Sequence, residues 1–484
     1  MKREERKGEG KGTGKGSVRR NTNGRSWPTR LPSPSSFSLP SSLFSVPFFL
    51  AVVLVGGVAA QSTRPFTFAL TGDAIITRRL SVHDEPDFLG LIDLIRDADA
   101  AFTNVEMLFH DYEPWPMHES GGTYMRAEPA LVKELVWAGF DMVSLANNHT
   151  GDYGVEGMRL TQKYVRDAGL VGAGTGENLA EAREVKFLET ANGRVALVSV
   201  ASTFPGHSAA SRPRGAVRGR PGLNPLHFTT TRELPRDQLE RLRTVLRESG
   251  VGVPTTGDRF RVFDNWFAVG ARAARRSTPD SGEVVELAGV VRNAAQLADY
   301  VLVTIHAHES GDRNSVPAEF LVTFARAMVD AGADLFVGHG PHVLRGIEIY
   351  QGKPIFYSLG DFIFQNETVL RLPEENYAPY GLDQTRGVAD FNAARYANDT
   401  RGFPTQREIW ESVVALPTFR GETLESIELV PITLGFGKSR TERGRPMLAD
   451  RELAAKILAD LVERSGPFGT VIEVRNGRGF VRLP

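Results

Sequence analysis

Residues 334–364 read DLFVGHGPHVLRGIEIYQGKPIFYSLGDFIF, and this stretch indicates both the fold class and the kind of site. An apolar run leads into a Gly-His-Gly-Pro-His loop that carries His339 and His342, and two further strand-like runs follow. Two histidines in a Gly/Pro loop at a strand end are typical of metal sites, because backbone without bulky side chains lets two imidazoles converge on one ion. The stretch therefore predicts a metal-dependent hydrolase whose other ligands lie elsewhere in the chain.

The composition limits the classes of protein to which the chain can belong. With 484 residues, 41% of them hydrophobic, it is long enough to bury a large core in two or three domain-sized pieces at most. A formal net charge of −1 creates no overall field that attracts nucleic acid, so we expect no nucleic-acid partner. The absence of cysteine excludes disulfides, thiolate metal sites and a cysteine nucleophile.

The N-terminal region is predicted to lie outside the folded domain. Residues 1–41 are rich in Lys, Arg, Gly, Ser and Pro and are predicted to form a disordered basic tail. Residues 42–60 contain an apolar run of about 15 residues ending in Val-Ala-Ala, which is typical of a signal peptide. An uncleaved membrane anchor is the alternative. We therefore expect an exported protein, either secreted or periplasmic, or anchored through residues 42–60.

From residue 66 onward the hydrophobic pattern alternates between strands and helices. Strands are predicted at 66–70, 100–105, 142–145, 300–305 and 335–337, and helices at 89–97, 129–137, 155–168, 283–297 and 318–331. This alternation predicts an α/β fold with largely parallel strands. In such folds ligands bind beyond the carboxyl ends of the strands, so the residues at those ends are the candidates for a site.

Polar side chains stand at the ends of all five strands. They are Asp73, Glu106, Asn148 with His149, His306 and His339. Each alone can be read as a turn residue or a solvated side chain, but their shared position favours one site. Oxygen and imidazole ligands without thiolate suit Mn, Fe or Zn, and one or two such ions are expected. His306 and His308 alternate along the chain, so both can face the site only if the strand has ended at His306.

Six short motifs carry a resemblance to a known family. They are Thr71-Gly-Asp73, Asn104-Val-Glu106, Ser144-Leu-Ala-Asn-Asn-His149 with Asp152-Tyr-Gly154, Ile305-His306, Gly338-His-Gly-Pro-His342 and Tyr357-Ser-Leu-Gly-Asp-Phe-Ile363. Together they resemble the CapA family of capsule or poly-gamma-glutamate synthesis proteins, from about residue 66 to 364. The resemblance implies a calcineurin-like metallophosphoesterase fold, an α-β-β-α sandwich of two mixed sheets with helices outside.

The same resemblance implies roles for individual residues. The implied metal ligands are Asp73, Glu106 as the bridging carboxylate, Asn148, His306, His339 and His342, and the implied catalytic residue is His149. The chain departs from related metallophosphoesterases in having Ile75 where a histidine ligand is usual and Glu106 where aspartate is usual. Five further residues are expected to line the substrate pocket: Asn147, Asp152, His308, Glu309 and Asp361.

The expected domain spans residues 66–435 with insertions at 203–282 and 365–406, and residues 436–484 complete it. The insertions are expected to form lids or substrate-recognition segments, or else surface embellishments. The resemblance implies an exported protein of capsule, poly-gamma-glutamate or cell-envelope polymer metabolism that uses metal-activated water to cleave a phosphoester or gamma-glutamyl amide. The alternative is a non-catalytic accessory subunit of a polyglutamate synthesis and export complex. Expected partners are an anionic polymer such as polyglutamate, or a phosphorylated envelope substrate, and a membrane synthesis complex.

Overall fold

The computed structural model describes residues 64–263 and 265–484. The predicted basic tail (1–41) and the predicted signal peptide or anchor (42–60) lie outside the described residues. Within the described part of the chain, no helix has both the length and the apolar character that crossing a membrane requires.

The described residues form ten α-helices and 24 strands, with short 3₁₀ turns between them. The helices are α1 (Pro86–Arg96), α2 (Val132–Ala138), α3 (Gly154–Asp167), α4 (Leu179–Ala182), α5 (Arg236–Glu248), α6 (Ser281–Ala294), α7 (Glu319–Asp330), α8 (Glu374–Tyr377), α9 (Val388–Arg395) and α10 (Arg451–Ser465). The strands up to the middle of the chain are β1 (Phe66–Ile75), β2 (Ala100–Val105), β3 (Leu108–Phe109), β4 (Arg126–Ala127), β5 (Met142–Ser144), β6 (Val171–Ala173), β7 (Thr175–Gly176), β8 (Lys186–Thr190), β9 (Gly193–Ala201), β10 (Gly222–Leu223), β11 (Phe228–Leu234), β12 (Arg259–Val262), β13 (Asn265–Val269) and β14 (Ala274–Pro279). The remaining strands are β15 (Tyr300–His306), β16 (Leu335–His339), β17 (Ile347–Tyr350), β18 (Lys353–Phe356), β19 (Asp361–Phe364), β20 (Glu411–Arg420), β21 (Thr423–Thr433), β22 (Met447–Leu448), β23 (Ile472–Arg475) and β24 (Arg478–Val481).

Two mixed sheets form the centre of the domain. The first has the order β23-β24-β21-β20-β1-β2-β5-β6, with β19 also beside β1 and β22 beside β21. The second has the order β17-β18-β16-β15-β9-β8. Parallel pairs join β1 to β2 and β19, and β15 to β9 and β16, whereas β20, β8 and β17 pair antiparallel with their neighbours. The prediction of an α/β chain with mixed sheets is confirmed.

The sheets pack on each other and are covered by helices on their outer faces. Phe68 and Leu70 of β1 share a buried core with Leu302 of β15 and Val337 of β16. Helices α1 and α2 pack on the outer face of the first sheet, and α6 and α7 pack on the outer face of the second. Because both faces of the central strands are buried, these strands read as continuous apolar runs in the sequence.

Three strands extend further than the sequence predicts, and each extension carries a candidate ligand. β1 continues to Ile75 because its second half pairs with β19, in a register that places Asp73 beside Asp361. β15 and β16 pair with each other up to His306 and His339. β1 approaches the turn before β19 closely at Gly72, where an added Cβ would lie 1.8 Å from the carbonyl oxygen of Gly360. This close approach requires glycine at position 72.

The segments outside the predicted motifs have structure of their own. Strands β11 to β14, within residues 203–282, form a separate four-stranded sheet, and α5 packs on it through a small core around Leu239 and Phe260. Residues 365–406 contain α8 and α9 and short 3₁₀ turns. Strands β22, β23 and β24, within residues 436–484, join the edge of the first sheet.

Candidate metal centre

The candidate site closes one open end of the core between the two sheets. On β15 and β16, Leu302 and Val337 point into the inter-sheet core, and His306 and His339 continue the same faces toward the carboxyl ends. Asp73 reaches this place from the first sheet. The parallel arrangement therefore brings strand ends from both sheets to one location, as the sequence pattern predicts.

Asp73, His306 and His339 form the first group of possible ligands. The Oδ1 atom of Asp73 lies 3.6 Å from Nδ1 of His306 and 3.4 Å from Nδ1 of His339, and the two nitrogens are 3.0 Å apart. All three side chains are fully buried. The geometry allows one ligand atom from each residue to face a common point.

Neighbouring groups hold this first group in place. The side-chain amide of Asn104 donates to Oδ1 of Asp73 at 2.7 Å, and the backbone N–H of Gly340 donates to Oδ2 at 2.7 Å. The Thr304 hydroxyl lies 2.7 Å from Nε2 of His339, so Nδ1 is the nitrogen left to face the site. Although burial would raise it, hydrogen bonds from His306 and His339 hold the pKa of Asp73 well below its ordinary value.

Glu106 and His342 belong to two further groups of possible ligands, one with His308 and one with Asp361 and Asp73. Oε1 of Glu106 lies 3.8 Å from Nε2 of His342, and Nδ1 of His342 lies 2.9 Å from Oδ1 of Asp361. One combination of possible ligands joins Glu106, His308 and His342, and another joins Asp73, Glu106, His342 and Asp361. Glu106 and Asp73 therefore lie close enough for a carboxylate to be shared between two ions.

His308 faces the site because β15 ends at His306. The backbone N–H of Ala307 donates to the carbonyl of His339 at 2.8 Å, and the chain then turns so that Nε2 of His308 lies 2.9 Å from Nε2 of His306. Burial lowers the pKa of His306 to about 4 and that of His308 well below its ordinary value. Both rings are therefore neutral near pH 7, which is the form that binds metals.

Unpartnered buried oxygens show that the site fits a cation. Both carboxylate oxygens of Glu106, Oδ1 of Asn148 and Oδ2 of Asp361 are buried and accept no hydrogen bond from any described residue. Buried acceptors are ordinarily satisfied, and leaving them without a partner is costly. Burial and the charge of Asp73 raise the pKa of Glu106 well above its ordinary value, as expected of a carboxylate that lacks a cation. Oxygen and imidazole donors without thiolate fit Mn, Fe or Zn.

His149 lies beside this group with one nitrogen anchored and the other directed at the site. Its Nδ1 lies 2.7 Å from Oδ2 of Asp152, and its Nε2 lies 3.9 Å from Oε1 of Glu106. Asp152 is held by the backbone N–H groups of Gly121 and Met125, both at 2.8 Å. The arrangement resembles the carboxylate-oriented histidine of general acid–base sites. Asp152, expected in the pocket, instead lies behind His149.

The other expected residues divide between the site and its supports. Asn148 donates from Nδ2 to the carbonyl of Gly121 at 2.9 Å, and its buried Oδ1 has no hydrogen-bond partner among the described residues. Asn147 accepts from the backbone N–H of His149 and donates to the carbonyl of Val105 at 2.7 Å, so it supports the loop. Glu309 accepts from the hydroxyls of Ser202 and Thr203 at 2.7 and 2.8 Å and belongs to none of the groups of possible ligands.

The isoleucine at the usual position of a first-strand histidine does not face the site. Ile75 packs in the core under the outer helices. On the neighbouring strand Asp361 pairs with Asp73 in register, and its carboxylate joins the possible ligands. His342 joins them from a loop in which it adopts φ +58°, a left-handed conformation that is strained for a residue with a Cβ. Asp361 and His308, which the sequence predicts only as pocket residues, thus belong to the groups of possible ligands.

The charge state of His342 leads to a testable pH dependence. Although burial alone would lower it, the charges of Asp361 and Glu106 raise the pKa of His342 to about 10. Near pH 7 the metal-free ring is therefore protonated, and it must lose this proton to become a ligand. We expect Mn²⁺ binding to release at least about one proton, and the metal affinity to rise roughly tenfold per pH unit between pH 6 and 8 for each proton released.

Calorimetric titration of the full-length protein with Mn²⁺, in buffers of different ionisation enthalpy, measures this proton release. D361N removes a charge that keeps His342 protonated, so it should reduce the release. H227Q is the control, because His227 is exposed, pairs with Glu283 at 2.8 Å and belongs to no group of possible ligands among the described residues. A metal affinity that is constant from pH 6 to 8 would contradict the prediction.

Comparison with known proteins identifies relatives of the chain. The family described as "Bacterial capsule synthesis protein PGA_cap" matches residues 67–366. The "Uncharacterized protein y4sH" of Sinorhizobium fredii (strain NBRC 101917 / NGR234) is 38% identical over 447 residues, which cover 89% of this chain and 96% of that protein.

Two more distant relatives have functional names. The "Capsule biosynthesis protein CapA" of Bacillus anthracis is 25% identical over 65% of this chain and 66% of its own length. The "PGA biosynthesis protein CapA" of Bacillus subtilis (strain 168) is 29% identical over 50% of this chain and 47% of its own length. The family match begins at the start of β1 and ends just after β19, so it contains every candidate ligand.

Proposed function

Because the chain belongs to the bacterial capsule synthesis protein family PGA_cap, to which the CapA proteins are related, we propose that it is a metal-dependent hydrolase of capsule or poly-gamma-glutamate synthesis. One observation carries the proposal. Buried oxygens of Glu106, Asn148 and Asp361 have no hydrogen-bond partner among the described residues. The carboxylates of Glu106 and Asp361 share a group of possible ligands with His342, beside the paired His149 and Asp152. In a cluster that only supports the fold, buried acceptors are ordinarily hydrogen-bonded.

Two sets of residues would hold the metal. Asp73, His306 and His339 would hold one ion, and Glu106, His308, His342 and Asp361, with the oxygen of Asn148, would hold a second. When bound, a divalent ion there would polarise a substrate oxygen and lower the pKa of a water molecule.

His149 has the placement of a general acid in this proposal. Asp152 anchors Nδ1, so the ring presents Nε2 to the site and can carry a proton there. That proton would pass to the leaving oxygen of a phosphoester or to the leaving nitrogen of a gamma-glutamyl amide. Asp152 stabilises the protonated ring and keeps its orientation, and Asn147 holds the loop that carries both.

We also propose a fold family, a location and partners for the chain. Two mixed sheets with helices outside support a calcineurin-like metallophosphoesterase fold. We propose export or membrane anchoring through residues 42–60, on the sequence pattern of that segment. The proposed partners are an anionic polymer such as polyglutamate, or a phosphorylated envelope substrate, and a membrane synthesis complex.

The alternative is a non-catalytic accessory subunit of a polyglutamate synthesis and export complex, which would bind the anionic polymer without hydrolysing it. The two proposals differ in whether the purified protein contains metal and in whether any bond is cleaved.

Metal content and hydrolysis test the choice between these functions. We expect the purified full-length protein to contain one or two equivalents of Mn, Fe or Zn by plasma mass spectrometry. It should hydrolyse bis(p-nitrophenyl) phosphate or gamma-glutamyl peptides, and EDTA should abolish the activity. The activity should return when one of these metals is added. A protein that takes up none of the three metals and cleaves neither class of substrate would be an accessory protein instead.

A further inference from the structure

The segment after β19 forms one wall of the candidate site. The ring of Phe403 lies 5.7 Å from the ring of His342 and 5.3 Å from the ring of Phe364, measured between centroids. Tyr396 packs against Phe403 in turn, at 6.1 Å. Phe403 therefore lies against the side of the site that carries His342, and Tyr396 lies behind it.

The loop between β3 and β4 forms a second wall of the site. The carbonyl of Gly121 accepts from the side chain of Asn148, and a Cβ added at Gly122 would lie 3.8 Å from the ring carbon Cε1 of His149. The next residue, Thr123, is buried. This loop therefore covers the side of the site that carries the general acid.

Arg395 joins the two walls. Its Nη1 donates to the hydroxyl of Thr123, and its guanidinium carbon lies 5.2 Å from the centre of the Tyr396 ring and 5.7 Å from that of Phe403. The guanidinium is therefore placed between the His149 side and the His342 side of the site, and aromatic rings lie close to its planar group.

Arg395 has no acidic partner among the described residues, whereas the neighbouring Arg440 and Arg443 do. Arg443 pairs with Glu367 at 2.6 Å, and Arg440 pairs with Asp399 at 2.7 Å. No carboxylate among the described residues lies within 4.0 Å of the Arg395 guanidinium. A half-buried cation at the edge of a site, with most of its N–H donors uncommitted, has the chemistry of an anion-binding residue.

We propose that Arg395 binds a carboxylate of the substrate chain and orients that chain across the centre, between His149 and His342. The inference rests on the proposed function, because it takes the substrate to be an anionic polymer. The planar guanidinium donates two parallel hydrogen bonds to a carboxylate, a geometry that lysine cannot reproduce. Arg395 is then a specificity residue that reads the charge of the polymer and takes no part in bond cleavage.

Binding of two matched oligomers tests the inference. The probes are a ten-residue gamma-linked glutamate oligomer and the same oligomer with every α-carboxylate converted to carboxamide. We expect the full-length protein to bind the carboxylate oligomer more tightly in calorimetric titration. R395Q should weaken that binding by about tenfold to a hundredfold, from the usual size of charge-assisted hydrogen bonds, and leave binding of the carboxamide oligomer unchanged. R395K should recover only part of the loss.

Two controls separate substrate binding from a structural role. R386Q removes an exposed arginine of the same segment, paired with Asp390 at 3.6 Å, and should change neither affinity. T123V removes the hydrogen bond that links the walls but keeps the charge, so the preference for carboxylate should persist. If T123V reproduces the loss seen in R395Q, or if R395Q weakens both oligomers equally, Arg395 is a structural link and the inference is wrong.

The binding of the oligomers can be tested independently of the proposed hydrolysis. The titrations are made with Mn²⁺ and again with EDTA, so binding is measured whether or not the protein cleaves any bond. A wild-type protein that hydrolyses phosphodiesters but binds neither oligomer overturns the inference and leaves the hydrolase proposal standing. A wild-type protein that shows the carboxylate preference without any hydrolysis supports the inference and points to the accessory function.

Discussion

Replacing Glu106 by glutamine should weaken Mn²⁺ binding at least about a hundredfold and, at the same time, make the metal-free protein more stable. The loss of affinity follows from removing the carboxylate that lies within reach of both groups of possible ligands. The gain in stability follows from the burial of Glu106, whose two oxygens have no hydrogen-bond partner among the described residues. Removing one buried group that has no hydrogen-bond partner should raise the free energy of unfolding of the metal-free protein by about 1–3 kcal/mol.

The pH dependence of this gain has a definite sign. Burial and the charge of Asp73 raise the folded-state pKa of Glu106 above its unfolded value, so the folded metal-free protein holds the proton more tightly. The destabilisation by Glu106 is therefore absent at a pH below the unfolded pKa and fully present above the raised pKa. The difference in unfolding free energy between E106Q and wild type should widen as the pH rises.

Urea unfolding in EDTA measures the stability, and calorimetric titration measures the metal affinity. E134Q is the matched control, because Glu134 is also buried but accepts hydrogen bonds from the backbone of Leu80 and Ser81 and from the Ser81 hydroxyl. This substitution should destabilise the protein by about 1–3 kcal/mol without changing metal binding. If E106Q also destabilises the metal-free protein, the unpaired carboxylate is not a cost that metal binding relieves.

Replacing His149 by alanine should lower kcat by about two to four orders of magnitude and leave the metal content unchanged. The reason is that His149 contacts Asp152 through Nδ1 while its Nε2 remains 3.9 Å from Glu106, beside the ligands and outside their groups. D152N should lower kcat as well, because an amide no longer stabilises the protonated ring.

Turnover of the phosphodiester or gamma-glutamyl substrate measures kcat, and mass spectrometry measures the metal content. H118Q is the control, since His118 is an exposed histidine of the nearby loop before Gly121, and its kcat should stay within about twofold of wild type. A loss of metal in H149A would make His149 a ligand instead of the acid. An unchanged kcat with full metal content would remove it from the mechanism.

The central strands were predictable because strands that are buried on both faces appear in the sequence as continuous runs of apolar residues. Residues 100–105 form β2, as predicted. A run of apolar residues that ends in a polar one is visible in the chain without any knowledge of its neighbours. The helices that cover the sheets were located in the same way, with their ends displaced by a few residues.

The grouping of His308 and Asp361 was not predictable from local pattern. Asp361 joins the site because β19 pairs with the second half of β1, and these strands are separated by nearly 300 residues of sequence. His308 joins it because the chain turns after His306, which the alternation along a strand does not reveal. The sheet within residues 203–282 also went unpredicted, because its strands are short and their side chains only partly buried.

Residue types and their positions at strand ends were enough to establish an α/β chain with an oxygen- and nitrogen-lined site near His306, His339 and Glu106. That much follows from sequence because strand periodicity is a local property and parallel strands must end together. The pairing of strands distant in sequence, the orientation of His149 by Asp152 and the position of Arg395 between two walls depend on long-range packing. Those contacts are formed by side chains that meet only when the two sheets and their connecting segments have folded together.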